Sequence, residues 1–337
     1  MRTPRGIGGV KTPVKHPPSG AAKPCKFSQN QKSNAGDINM FFENRDLLCE
    51  NFNRAKEFFC ENPQALIDVE RYIMQIVNAT ISDNRDELKF DYNEASYLNA
   101  FWAEYPPDNR GRAPVGDQIP WIEVGEHAIG HKLNRLIAAN YEIREIGLPS
   151  GADNRFVLIS DEITTITRGC TDRAFVFLDI KSVGPRDNFD HTVISPYQVS
   201  GDGIWNAPAD NMMNSTMIAQ GRTASHVFHP AIAPIYSMTD GTIAPTIHLF
   251  VKPIYKMLSL SDDGKIGQPL DEIKNICVPN GLLLTINPGY LNRYPGLFFP
   301  GKDDKGKDPR KIRVRVSFEI LRRIAPWRVV SFNCEHR

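Results

Sequence analysis

From Met40 onward, apolar residues fall at helical spacing. Phe41, Leu48, Phe52 and Phe59 come first, and Leu66, Val69, Ile73, Ile76 and Val77 follow Pro63 on one face. Residues 91–105 continue the helical pattern up to Tyr105-Pro106-Pro107, and residues 121–139 carry the stripe Ile122, Ile129, Leu133 and Leu136. After residue 140 the pattern shortens to strands at 142–147, 155–160, 174–181, 192–195, 246–255, 282–286, 312–320 and 327–332, with Gly, Pro and Asn between them. Helices first and a mixed sheet later predict an α/β or α+β chain without internal repeats. No linker follows residue 40, so residues 40–337 read as one domain. Residues 1–39 read as a disordered basic tail, because they are rich in Pro, Gly, Lys and Ser and lack apolar periodicity. Such a tail is either a solvated appendage or a non-specific tether to DNA.

The most apolar run, Ala174-Phe175-Val176-Phe177-Leu178-Asp179-Ile180-Lys181-Ser182, reads as a buried strand. Side chains two apart on a strand point the same way, so Asp179 and Lys181 emerge side by side where it leaves the core. A further acid, Asp153, precedes the apolar strand Arg155-Phe156-Val157-Leu158-Ile159. Two carboxylates suit a hard divalent cation, and a neighbouring lysine can handle a water. The pattern points to metal-dependent phosphodiester cleavage, with Mg²⁺ as the cofactor and Asp153, Asp179 and the Ile180 carbonyl as its ligands. Lys181 would orient or deprotonate the attacking water, or stabilise developing charge. Asp-x-Lys by itself also describes an ordinary surface ion pair. Glu126, on the expected 121–139 helix, either reaches the lysine or a metal-bound water, or is a solvated helix acid like Glu123.

Composition narrows the setting. Hydrophobic residues make up 41% and charged residues 23%, as in soluble globular proteins. No apolar stretch approaches the ~18 residues of a membrane span, so no membrane partner is expected. Nor is there the apolar segment of a secretory signal. Cys25, Cys49, Cys60, Cys170, Cys277 and Cys334 are scattered without a Cys-x-x-Cys, which argues against zinc and disulfides and fits a reducing cytoplasm. The net charge of +1 hides an asymmetry: residues 1–36 carry seven Lys/Arg and no acid, and residues 301–337 carry eleven Lys/Arg against five Asp/Glu. The intervening segment is acidic. Local basic patches, not the total, decide nucleic-acid binding.

A resemblance enters on longer blocks. Asp91-Tyr92-Asn93-Glu94-Ala95, Gly116-Asp117-Gln118-Ile119-Pro120-Trp121-Ile122-Glu123-Val124-Gly125-Glu126, Arg144-Glu145-Ile146-Gly147-Leu148-Pro149, Asp179-Ile180-Lys181-Ser182-Val183-Gly184-Pro185-Arg186-Asp187, Asp240-Gly241-Thr242-Ile243-Ala244-Pro245 and Val278-Pro279-Asn280-Gly281-Leu282 closely resemble the BglI-like type II restriction endonucleases of the PD-(D/E)xK superfamily. The resemblance runs from about residue 40 to the C-terminus. It implies the restriction-endonuclease-like α/β fold, a central mixed β-sheet flanked by helices with a helical N-terminal part. It also implies Mg²⁺-dependent cleavage of double-stranded DNA by a homodimer, paired with a cognate DNA methyltransferase. Asp153, Asp179 and Lys181 fall on the family's active-site positions. One departure is visible, since Ala152 stands where the motif's name asks for Pro.

The same resemblance places base-contacting residues around Lys302, Asp304, Arg313 and Arg315. In Ile312-Arg313-Val314-Arg315-Val316 the arginines and valines alternate between faces, as a groove reader requires. Arg binds guanine O6/N7 and Asp accepts from the cytosine amino group, so the region would favour G·C-rich half-sites. The family connection implies GCC and GGC separated by five unspecified bases. The bland alternative for residues 301–307 is a loop whose charges neutralise one another. Gln198, Asn211, Asn214, Gln220, Arg222 and Ser225 suit either DNA contacts or a structural loop. His226 and His229 fit packing or dimer contacts better than metal ligation. The rivals from other classes are a catalytically silent DNA-binding protein and a structure-specific repair nuclease.

Overall fold

The computed structural model describes residues 44–102, 124–148, 150–184, 188–206, 211–259, 266–286, 288–301 and 307–334. The expected tail, residues 121–123 and the Lys302–Asp304 segment lie outside the described residues.

Among the described residues three helices come first: α1 (Arg45–Glu61), α2 (Pro63–Asp83) and α3 (Arg85–Trp102). α1 buries Leu48, Phe52, Ala55 and Phe59, and the Asn62 N–H closes it on the Phe58 carbonyl. Pro63 opens α2, where its missing N–H has no helical partner to lose. α2 buries Leu66, Val69, Ile73, Ile76 and Val77, the stripe read from the sequence. α3 starts at Arg85 rather than 91, because its first turn carries Asp86 and Glu87. Acids stabilise a helix N-terminus without contributing apolar periodicity. The helix expected at 121–139 becomes a π-helix at Glu126–His131 and then α4 (Lys132–Ala138).

The main sheet contains β1 (Glu142–Glu145), β2 (Asn154–Ile159) and β3 (Arg173–Ile180), with α5 (Asp161–Ile166) between β2 and β3. Strand β4 (His191–Ile194) leaves for a second sheet, and β5 (Met217–Gln220) and β6 (Ser225–Phe228) pair with each other. β7 (Ile235–Ser237) flanks the long β8 (Ile243–Tyr255), and β9 (Leu258–Ser259) pairs with β10 (Ile266–Gly267). Next come β11 (Leu270–Val278), α6 (Gly281–Thr285), α7 (Tyr290–Arg293), β12 (Phe298–Pro300), β13 (Val314–Ser317), α8 (Phe318–Ile324) and β14 (Val329–Asn333). The main sheet has seven strands in the order β1-β2-β3-β8-β11-β14, with β7 also on β8. β3 and β8 run parallel, and the other pairs are antiparallel, so the sheet is mixed as expected. A smaller sheet runs β12-β13-β4.

Three expectations need correction. The strand expected at 282–286 is instead the helix α6 (Gly281–Thr285): the Asn280 side chain accepts the Leu282 N–H and caps it. A short apolar run does not declare its own period. Strand β11 went unread because Asp271, Glu272 and Lys274 interrupt its apolar residues. The strand expected at 312–320 stops at Ser317, whose side chain accepts the Ile320 N–H and starts α8.

Both sheet faces are covered. On one, Ile247, Leu249, Val251 and Ile273 pack with Val69, Ile73 and Ile76 of α2 and with Ile129 and Leu133. On the other, Phe250, Ile276 and Val278 pack with Phe52 and Phe59 of α1 and with Ile194, Val314, Val316 and Phe318. An ion pair with no exposed surface, Arg328 Nη2 to Glu70 Oε2 at 2.6 Å, ties α2 to the end of the chain. Glu70 Oε1 also accepts the Asn280 N–H, and the Asn280 amide donates to the carbonyls of Pro234 and Thr246. Arg328 lies over the Trp327 ring at 4.5 Å. Removing one partner leaves the other charge buried alone. Arg328→Met should therefore destabilise the protein by roughly 3–5 kcal/mol in urea unfolding, far beyond a surface Arg→Met change.

Candidate active site

β2 and β3 pair antiparallel from Ile159↔Arg173 to Asn154↔Leu178, and there the ladder ends. β3 runs on, so the Ile180 N–H has lost its strand partner. Asp153, one residue before β2, supplies one: its Oδ2 accepts the Ile180 N–H at 2.6 Å. On the other side of β3, the Lys181 N–H donates to the Val251 carbonyl of β8 at 2.8 Å. The N–H and C=O of one strand residue point to the same side. The Ile180 carbonyl therefore leaves β3 on the Asp153 side, away from β8.

Asp179 and Lys181 do point the same way, with Lys181 Nζ 2.6 Å from Asp179 Oδ2. Asp179 is 2% exposed. Its Oδ1 accepts from Gln198 Nε2 at 2.7 Å, whereas Oδ2 receives no directed hydrogen bond, so the lysine contact is one of charge rather than alignment. Burial is the main force on this carboxyl and pushes its pKa up to about 7, with Lys181 pulling down and Asp153 adding to the rise. Asp153 is exposed as a residue, but its carboxyl end faces the strand terminus. Desolvation raises its pKa too, against the Ile180 N–H and Lys181.

Gln198 is the residue whose role sequence reasoning left open. Its amide donates to Asp179 and to the Gly151 carbonyl at 2.7 Å each, and its Oε1 accepts the Ser195 N–H at 2.9 Å. It sits in the 3-10 turn Pro196–Gln198, closed by a capping box with Ser195. Ser195-Pro196-Tyr197-Gln198 carries that capping signature, so the turn was legible, but its placement beneath Asp179 was not. Asn214 takes the structural option: it donates to the carbonyls of Pro230 and Ile232 and accepts the Gly203 N–H.

Glu126 begins the π-helix that seats on this strand end. A Cβ at Gly125 would stand 1.8 Å from Ser182 Oγ, and one at Gly130 would stand 2.8 Å from Ile180 Cγ1. Glycine alone allows that approach. The structure thus brings Asp153, Asp179, Ile180 and Lys181 together, with the Glu126 helix packed beside them. Arg313 and Arg315 lie elsewhere, on and beside β13 of the small sheet. Arg313 is exposed and Arg315 half-buried, while Val314 and Val316 are buried as the alternation predicts.

Known proteins resemble this chain in sequence and fold. A family model described as type II restriction enzyme SfiI matches residues 65–332. The type II restriction enzyme BglI of Bacillus subtilis is 47% identical over 300 residues, covering 88% of this chain and all of that protein. The crystal structure of BglI bound to its DNA recognition sequence superposes with a TM-score of 0.79 over 87% of this chain and 98% of that one. Tetrameric SfiI bound to cognate DNA shares the fold at a TM-score of 0.52 and 14% identity, over 80% of this chain and 84% of that one. These likenesses, on a central mixed sheet, define a type II restriction endonuclease. More particularly, the chain belongs to the family of type II restriction enzymes that includes SfiI and BglI.

The raised pKa of Asp179 has a consequence for stability. A carboxyl whose folded pKa lies above its unfolded 3.8 holds its proton more tightly in the folded state, so stability falls as pH rises from about 3.8 to about 7. Asp179→Asn removes the buried charge. Without divalent cations, its melting temperature should exceed the wild type's at pH 8 by several degrees and approach it at pH 5. Equal differences at both pH values would contradict the burial effect.

Proposed function

We propose that this enzyme cleaves double-stranded DNA by Mg²⁺-dependent phosphodiester hydrolysis at an interrupted G·C-rich palindrome, GCC and GGC five bases apart. The observation that carries the reading is the convergence of Asp153, Asp179, Lys181 and the outward Ile180 carbonyl at one strand end. The donors fit the ion. All are hard oxygens, and Asp179 Oδ2 is a buried oxygen without a directed donor. Asp153, Asp179 and the Ile180 carbonyl would hold Mg²⁺. When bound, the ion would neutralise charge on the scissile phosphate and acidify a nearby water. Gln198 fixes the Asp179 carboxylate through Oδ1, so Oδ2, which faces Lys181, would be the oxygen offered to a cation. Lys181, held beside Asp179, orients the attacking water and stabilises the charge that develops. Glu126, at the start of the π-helix beside this strand end, would serve as a secondary acid toward the lysine or that water.

Arg313 and Arg315 would read guanine, together with Lys302, and Asp304 would accept from cytosine. The alternation of buried Val314 and Val316 with the arginines supports a strand that shows its cations outward. A palindrome implies a twofold homodimer, with one site acting on each strand.

Digestion of a sequenced plasmid with Mg²⁺, followed by end mapping, tests target and chemistry together. Cuts should fall within one interrupted palindrome and vanish with chelator. Asp179→Asn should abolish cutting while keeping specific binding. Gln198→Leu should slow single-turnover cleavage about 10–100-fold, as loss of a group orienting a metal ligand does. Retained cutting by the Asp179 variant would sink the metal assignment. Arg315→Ala should cost roughly 1–3 kcal/mol of specific affinity and much less non-specific affinity. Equal losses would make Arg315 a phosphate contact.

A further inference from the structure

Lys252 and Lys274 are buried, at 1% and 7% exposure, and stand directly opposite each other on β8 and β11. Partners across an antiparallel pair share a face, and like charges there repel. Buried lysines are also costly unless bonded. Two such residues side by side therefore need a strong local reason. Register places them on the catalytic face: Asp179 pairs with Phe250, so Lys181 falls level with Lys252. Lys181, Lys252 and Lys274 thus form a row across β3, β8 and β11.

The two buried ammonium groups turn away from the site, onto one short segment. Lys252 Nζ donates to the carbonyls of Asn188 at 2.8 Å and His191 at 2.6 Å. Lys274 Nζ donates to the Phe189 carbonyl at 3.3 Å and lies 3.7 Å from Glu272 Oε2. The carbonyl between them, on Asp190, accepts the Phe318 N–H of α8 at 2.9 Å. Four successive carbonyls of residues 188–191 are therefore held from the core. The Asp190 N–H adds an internal bond to Asn188 Oδ1 at 2.7 Å.

What this segment connects gives the clasp its meaning. Upstream lie Lys181 and Val183, still bonded to β8 through the carbonyls of Val251 and Pro253. Downstream, His191 begins β4, whose residues pair His191↔Ser317, Thr192↔Val316 and Val193↔Arg315 on β13. We infer that Lys252 and Lys274 are positioning residues: they clamp residues 188–191 so that the β4–β13 strand bearing Arg315 is held at a fixed distance and angle from the cleavage centre at Asp179 and Lys181. The inference rests on the reading of Arg315 as a base reader and of Asp179 as part of the cutting site. Bound to its site, the enzyme can cut only if both are correctly spaced, so loosening the clamp uncouples cutting from binding.

Lys274→Met tests this, because Lys274 has the longer carbonyl bond and keeps its methylene packing in Met. Lys252→Met is the more severe companion. Circular dichroism and melting first identify the variants that fold. Hydrogen exchange should then rise in residues 188–194 and 314–317 while the main-sheet strands β2 and β3 stay protected. On a DNA carrying the site, affinity without divalent cation should stay within about threefold of wild type, while single-turnover cleavage with saturating enzyme and Mg²⁺ falls about 100-fold, the cost of roughly 1 Å of misplacement. Unchanged exchange in 188–194, or cleavage and binding that fall together, would overturn the clamp. Failure of both variants to fold would overturn it as well, by making the lysines part of the core alone. If wild-type protein binds the site but does not cut it, the cleavage reading has failed instead, and the exchange result still decides whether the clamp exists.

Discussion

Where β2 stops pairing with β3, the Ile180 amide would stand unbonded at the edge of a buried strand. Asp153 takes over that position with its carboxylate. The bond places the first acid beside the second, since Asp179 precedes Ile180. It also directs the Ile180 carbonyl toward the same space. An unpaired buried N–H costs free energy, so the fold and the site share one requirement. The π-helix at Glu126–His131, with Gly130 inside it and Gly125 at its N-cap, packs against the same strand end.

The two acids and the lysine lie on a different sheet from Arg315. Asp153, Asp179 and Lys181 gather at the ends of the inner strands β2 and β3 of the seven-stranded sheet, and Arg315 belongs to the three-stranded one. Two connections join them. One is Gln198, which follows β4 and holds Asp179. The other is the 188–191 segment, held by Lys252 and Lys274. Both connections use hydrogen bonds to the backbone or to a carboxylate, which fix direction as well as distance. Apolar packing would fix distance with less control of angle.

Charged groups in the interior cost stability, and here they are numerous. Asp179, Lys252, and the Glu70–Arg328 pair are almost wholly excluded from solvent. Glu70 and Arg328 hold α2, Asn280 and the last strand in one arrangement, which an apolar pair would not specify as narrowly. Asp179 gains nothing for the fold by its charge, since burial drives its pKa to about 7. A carboxyl perturbed in this way marks a candidate functional site.

The apolar run ending at Asp179 and the period-two placement of Lys181 were legible in the residues, because side-chain alternation is a local property of a strand. The stripe on α2 and the valine–arginine alternation around 313–316 were legible for the same reason. The resemblance carried the family and the fold. Strand β11 escaped because burial of Lys274 and Asn275 depends on partners from distant segments, Phe189 and Asn78. The helix at Gly281–Thr285 escaped because so short an apolar run has no period of its own, and Asn280 decides it by capping. Gln198 was visible only as a polar residue suited to DNA contacts or a structural loop, but its contact with Asp179 joins the end of β3 to the turn after β4. Local chemistry determined which side chains were available for the reaction. Long-range pairing decided which of them meet, because a hydrogen bond between separate segments exists only once the sheet has brought their backbones together.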